Sequence, residues 1–366
     1  MTGKISARQL MLIVALIRVS AILVLLPVVQ VGDARQDAWI ASIVSTLASC
    51  LVAALSASLA MKFPGKSLGQ FSKEILGPTL GMIATALVAL SLYILCLART
   101  LTVSLVVISQ FMPKTPGWAI AVPMLATAFY GAILGPDAIG RSAEIVFTFL
   151  AGILILGVGL VYVSKAGPTT GLKPMLARGF GPVLAASVSP TFLGAVSGSI
   201  VLAIGRFTRK PSGLLKAVVA GLLISGGFLL VLTVLVLTTI GHQQAQQSLT
   251  PLLVVASSIF IEGVLERSDL LLLAAWILGV TFDVTVLLMS SSILIGDALS
   301  QSWRTVAVVL FLLGVLPVSH RFTDVFIMRE LNSVLVTGTW TLVVYVGAVG
   351  LVFVAALLKK RRRAKA

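Results

Sequence analysis

About ten stretches of this chain are near the length of a bilayer-spanning helix and almost free of charge. They run at 9–31, 39–61, 80–111, 117–136, 143–164, 185–205, 214–240, 268–296, 304–319 and 336–358. Roughly 20 apolar residues cross the hydrocarbon core as a helix. Hydrocarbon offers a backbone no hydrogen-bond partner, so only helices or closed barrels can span it. Barrel strands need alternating hydrophobicity, whereas these blocks are apolar throughout. The fold class expected is therefore an all-α integral membrane protein. Only 11% of residues are charged and the mean hydropathy is +1.10, against about 25% charged in a soluble domain. The block at 80–111 is too long for one straight crossing and is expected to tilt or project.

Charge outside the blocks sets the orientation. With the N-terminus inside, most Lys and Arg fall on the inner side, including Lys62, Lys66, Lys73, Arg206, Arg209 and Lys210. The positive-inside rule then places both termini in the cytoplasm. The basic end at 359–366 reads as a cytoplasmic tail beside anionic membrane lipid. Leu10 to Val31 reads as a retained first membrane helix, because it is long for a signal-peptide core. A net charge of +15 spread between apolar blocks lacks the folded basic face that a nucleic-acid partner needs.

Enzyme machinery is missing from the sequence. It holds no Walker motif, dinucleotide fingerprint, zinc signature or nucleophile elbow. No catalytic residue, metal ligand or cofactor is expected. Cys50 and Cys96 read as small buried hydrophobes, and His242 and His320 are too far apart for a local ligand motif. The stretch 241–267 mixes polar and amphipathic residues, as an external loop with short interfacial helices would.

Two blocks contain helix-weakening residues. The first holds "IRVSAILVLLP", with Ser20, Ala21 and Pro27; the sixth holds "ASVSPTFLGAVSGSIVL", with Pro190, Thr191, Gly194, Ser197 and Gly198. Blocks one and six occupy equivalent places in two five-helix halves, the pattern of a LeuT-like inverted five-plus-five repeat with broken helices one and six. Unwound backbone there can hold a solute, so Ser20, Ala21, Thr191, Gly194, Ser197 and Gly198 are the expected ligand-binding residues. Small residues equally permit close helix packing. Arg18, Arg99 and Asp283 lie within the blocks. Ionisable groups at that depth are expensive and mark pathways or gates, or else pair with one another. Asp283 has two candidate partners, Arg99 and Arg18.

Short motifs along the chain resemble the B-subunit permease family of spore germinant receptors, the GerA-type complexes of endospore-forming bacteria. They are, in order, "KISARQL" at 4–10, "RQDAWIAS" at 35–42, "KFPGKSL" at 62–68, "MPKTP" at 112–116, "GRSAEI" at 140–145, "GLKPML" at 171–176 and "ERSDLLLLAAWILG" at 266–279. The resemblance spans nearly the whole chain. It implies the amino acid–polyamine–organocation superfamily fold with ten core helices. The implied role is to bind a small germinant, often an amino acid, and trigger germination with an A subunit and a lipoprotein C subunit in the inner spore membrane. Arg99 falls where that family commonly has an arginine. Asp283 departs from the pattern, as does the absence of an acidic residue near Ser197. The alternative expectation is a permease moving an amino acid or other small metabolite with a coupling ion.

Overall fold

Proline and glycine decide where many of the helices begin. In the computed structural model, residues 4–22, 26–163, 172–259, 267–300 and 347–356 are described. The helices are α1 (Ala7–Ile22), α2 (Leu26–Ala34), α3 (Ala38–Lys62), α4 (Leu68–Leu76), α5 (Pro78–Gln110), α6 (Gly117–Leu134) and α7 (Pro136–Val163), then α8 (Gly181–Ile204), α9 (Leu214–Thr239), α10 (Gly241–Gln247), α11 (Pro251–Ser257), α12 (Ser268–Ala298) and α13 (Gly347–Ala356). Pro78 and Pro136 each open a helix, where a missing N–H costs nothing. Gly77 and Gly135 precede them at φ 88° and 91°, angles that strain any residue with a Cβ. At α1, Ser6 and Gln9 cap each other reciprocally, at 3.0 and 3.1 Å. Ser67 and Gln70 form the same capping box at α4.

Among the described residues, seven helices are long and apolar enough to cross a membrane. α5 has 33 residues, roughly 50 Å at 1.5 Å per residue against a core of about 30 Å. Leu51 on α3 and Ile145 and Ile155 on α7 are exposed large apolar side chains, as a lipid-facing surface requires. The expected span at 304–319 lies outside the described residues, as does the tail at 359–366; of 336–358, α13 is described.

The helices pack as two bodies. One holds α1, α2, α3, α8 and α9; the other holds α5, α6 and α12 with the short α4 laid across one end. α7 packs against both α1 and α12. The bodies meet where α1 and α8 face α12.

At the end nearest residue 5 they are also tied by side chains. Arg206, following α8, donates through Nη1 to both oxygens of Asp297 at 3.0 and 3.2 Å. Asp297 also accepts from Ser67 Oγ, and Lys73 Nζ binds the carbonyls of Asp297 and Ala298 at 2.7 and 2.9 Å. Lys73 thereby satisfies carbonyls left free at the end of α12. Ile5 joins the same end, donating to the Phe207 carbonyl and accepting from the Arg209 N–H at 2.9 Å each.

The expected break in the sixth crossing is corrected: α8 is one continuous helix with Pro190 inside it. Hydroxyls around the proline supply extra bonds to the weakened turn. Ser187 Oγ donates to the Leu184 carbonyl and Thr191 Oγ1 to the Ser187 carbonyl, each at 2.7 Å. Neither bond replaces the one that Pro190, lacking an N–H, cannot give to the Ala186 carbonyl; they brace the turn on either side of it. For the first crossing, α1 is described to Ile22 and α2 from Leu26, and the three positions between lie outside the described residues.

Candidate functional site between α1 and α12

The intramembrane carboxylate lies where the two bodies touch. Asp283, midway along α12, is fully buried, and its Oδ2 lies 3.0 Å from Nε of Arg99 on α5. Arg99 is 2% exposed. Both charges belong to the same body, so the pair first of all fixes α5 against α12. A buried pair of this kind hardly stabilises relative to apolar packing, but removing one partner strands the other.

Asp283 also reaches across to α1. Ser20 Oγ lies within bonding distance of Asp283 Oδ2 at 3.2 Å and of the Ile17 carbonyl at 3.1 Å. The Ser20 carbonyl accepts from the indole Nε1 of Trp276 at 2.9 Å. Trp276 lies seven residues before Asp283, two turns away on the same face of α12. Ser20 is thus held twice by α12, once through its side chain and once through its backbone.

Polar capacity remains at the junction. Asp283 Oδ1 is buried and has no hydrogen-bond partner among the described residues; Ser197 Oγ on α8 and Ser290 Oγ on α12 are also buried without one, with no contact that ties them to Ser20 or Asp283. A carboxylate has room for several donors. An unsatisfied buried oxygen costs free energy until a donor reaches it. A solute carrying N–H or O–H groups is the kind of occupant that would supply one.

Other expected site residues lie elsewhere. Thr191 and Gly194 face α3. Ser49 Oγ donates to the Thr191 carbonyl at 3.2 Å, and Thr191 Oγ1 is 3.4 Å from the Ser45 carbonyl. A Cβ on Gly194 would stand 2.2 Å from Ser49 Oγ, so this glycine permits helix contact within one body. Ala21 and Gly198 are buried in their helices. Arg18 does not partner Asp283. It turns to α9, where Nη1 is 3.4 Å from the Leu222 carbonyl while Nε and Nη2 have no partner among the described residues. Sequence reasoning missed Trp276. Its signal was present, since an indole N–H inside an apolar span needs an acceptor.

The Spore_permease family, whose members are described as spore germination proteins, matches residues 4–327. The chain belongs to this family. Among its curated relatives, spore germination protein YndE of Bacillus subtilis (strain 168) is 25% identical over 296 residues, 78% of each chain. Spore germination protein KB of the same strain is 22% identical over 294 residues, covering 78% of this chain and 76% of that one. This member of the family shares its fold with solved transporters. Mhp1, a nucleobase-cation-symport-1 family transporter with bromovinylhydantoin bound, aligns at a TM-score of 0.71, 15% identity, and 99% and 80% coverage of the two chains. MhsT in complex with L-phenylalanine aligns at 0.65, 13% identity, and 97% and 98% coverage. The Eremococcus coleocola manganese transporter aligns at 0.59, 14% identity, and 95% and 77% coverage. These neighbours have the LeuT fold, so the expected architecture holds although α8 is continuous. Among the described residues no group of His, Cys, Asp or Glu could hold a metal ion.

Proposed function

We propose that this chain is the B subunit of a nutrient germinant receptor. It binds a small germinant, an amino acid in the first instance, where α1 crosses α12, and passes the resulting shift between its two bodies to A and C subunits. The observation that supports this reading is the double hold of α12 on Ser20 beside a carboxylate with one oxygen unpartnered among the described residues. A solute that takes over either bond changes how the bodies sit together. To drive such an equilibrium from 1:99 to 99:1, the germinant must prefer the signalling state by about 5.5 kcal/mol. The proposed setting is the inner spore membrane, with ten crossings, 304–319 and 336–358 completing the second half, and both termini cytoplasmic. Membership of a spore germination family and a transporter fold support the reading together.

The test is a germinant dose response in spores carrying Ser20→Ala, which removes the hydroxyl without adding bulk at this buried position. The expected result is a displaced dose response with the protein still present in the membrane. An unchanged dose response removes Ser20 from the site. Labelled amino acids offered to proteoliposomes of this chain alone separate receptor from permease. Accumulation without A and C subunits favours the permease, a reading the transporter fold also supports.

A further inference from the structure

Two of the family-like motifs take no part in the α1–α12 junction, and the structure stitches them to each other. They are "RQDAWIAS" at 35–42 and "GLKPML" at 171–176. Gln36 Nε2 donates to the Pro174 carbonyl at 2.9 Å, across 138 positions of sequence. The Leu176 N–H donates to Asp37 Oδ1, also at 2.9 Å. Together these bonds hold the 172–176 segment against the turn leading from α2 into α3. A pocket of about 480 Å³ opens along that seam, closed on its far side by the end of α9 and the start of α10. Its volume is within the range of small-molecule sites.

The chemistry of the walls is one-sided. Arg35 and Lys173 supply two positive charges, and Gln36, His242 and Gln243 add further polar groups. No carboxylate lines the pocket among the described residues. Asp37, nearest in sequence, is buried and committed to the Leu176 N–H. Arg35 sits at φ 52°, a left-handed conformation unusual for a residue with a Cβ. Such conformations persist only where their surroundings impose them, and they gather at binding sites.

We propose that this pocket captures a small organic anion of the carboxylate class, about the size of an amino acid. A guanidinium fork matches a carboxylate with two parallel bonds, and a lysine adds a second point charge. A dicarboxylate engages both cations at once. The pocket lies at the end of the molecule opposite Ile5, so a solute held there is concentrated at one mouth of the bundle. It stands apart from the α1–α12 site, because neither cation contacts Ser20 or Asp283.

The experiment is calorimetric titration of the full-length protein in neutral-lipid nanodiscs at constant ionic strength. The probes are succinate, its uncharged counterpart succinamide, and chloride. Saturable succinate binding is expected, with no binding of succinamide and no competition from chloride. Arg35→Gly accepts the left-handed backbone and removes the charge; Lys173→Gln removes the other at an exposed position. Each is expected to weaken succinate binding roughly tenfold, the loss of one charge-assisted bond. Equal binding of succinate and succinamide overturns the proposal, as does displacement by chloride. Wild-type affinity in both variants does so too. Should Arg35→Gly fail to fold, Lys173→Gln decides alone. Germination is not read in this assay, so a negative result leaves the core site untouched.

Discussion

Replacing Asp283 by asparagine isolates what the buried charge does. The amide keeps the shape of the side chain and an oxygen for Ser20, so about 1 kcal/mol of hydrogen bonding survives. The Coulomb partner of Arg99 is lost, and Arg99, 2% exposed, cannot reach water without moving α5 from α12. Breaking a buried pair from one side costs about 3–5 kcal/mol, more than a hundredfold in the folding equilibrium. Arg99→Met strands the carboxylate instead and is expected to cost a similar amount. The combination Arg99→Met with Asp283→Leu strands nothing. Apolar replacement of a whole buried pair is neutral or stabilising by about 1–4 kcal/mol. Equilibrium unfolding of the four proteins in identical lipid–detergent micelles gives the comparison. The expected order puts the double variant level with or above wild type and both single variants well below. Losses that add in the double variant would refute the reasoning, because the two groups would then be acting separately.

Three further outcomes follow from the packing. Gly194→Ala places a methyl group 2.2 Å from Ser49 Oγ and is expected to destabilise by about 1–3 kcal/mol; Ser49→Gly in the same chain should recover most of it, which a lost solute contact would not do. Arg206→Gln removes both bonds from Nη1 to Asp297, at about 1.5–3 kcal/mol for a charged partner, and hydrogen exchange in α4 and the end of α12 should rise while the centre of α12 stays protected. Arg18→Met removes a fully buried guanidinium whose only protein bond among the described residues is long, so thermal unfolding in micelles is expected at a higher temperature; a lower one would show that the charge has a partner when the protein is in lipid.

Much of the architecture was legible because lipid imposes simple rules. Uniformly apolar blocks marked the helices, although the fourth block runs on to Pro136, the residue that opens α7. The sixth crossing misled because proline, glycine and serine serve two ends with one vocabulary: they accompany unwound backbone and also close helix contacts. Gly194 turned out to serve the second, against Ser49. Deciding between them requires the neighbouring helix, and no local pattern in α8 contains it. Asp283 and Arg99 were each conspicuous as charges in lipid, but pairing is a tertiary fact, and Arg18 was an equal candidate until α1 was seen to turn that side chain to α9. The amphipathic α4 and the indole of Trp276 were overlooked, the first for its brevity and the second because a tryptophan in an apolar run passes as bulk.

Because Trp276 is 2% exposed and bonds the backbone of Ser20, drawing α1 away from α12 must deprive that ring of its acceptor and change the polarity around it. The chain has 5 tryptophans, and with the other four replaced, emission from this one becomes an optical gauge of the gap. Opening can then be timed in the unlabelled protein, whatever solute provokes it.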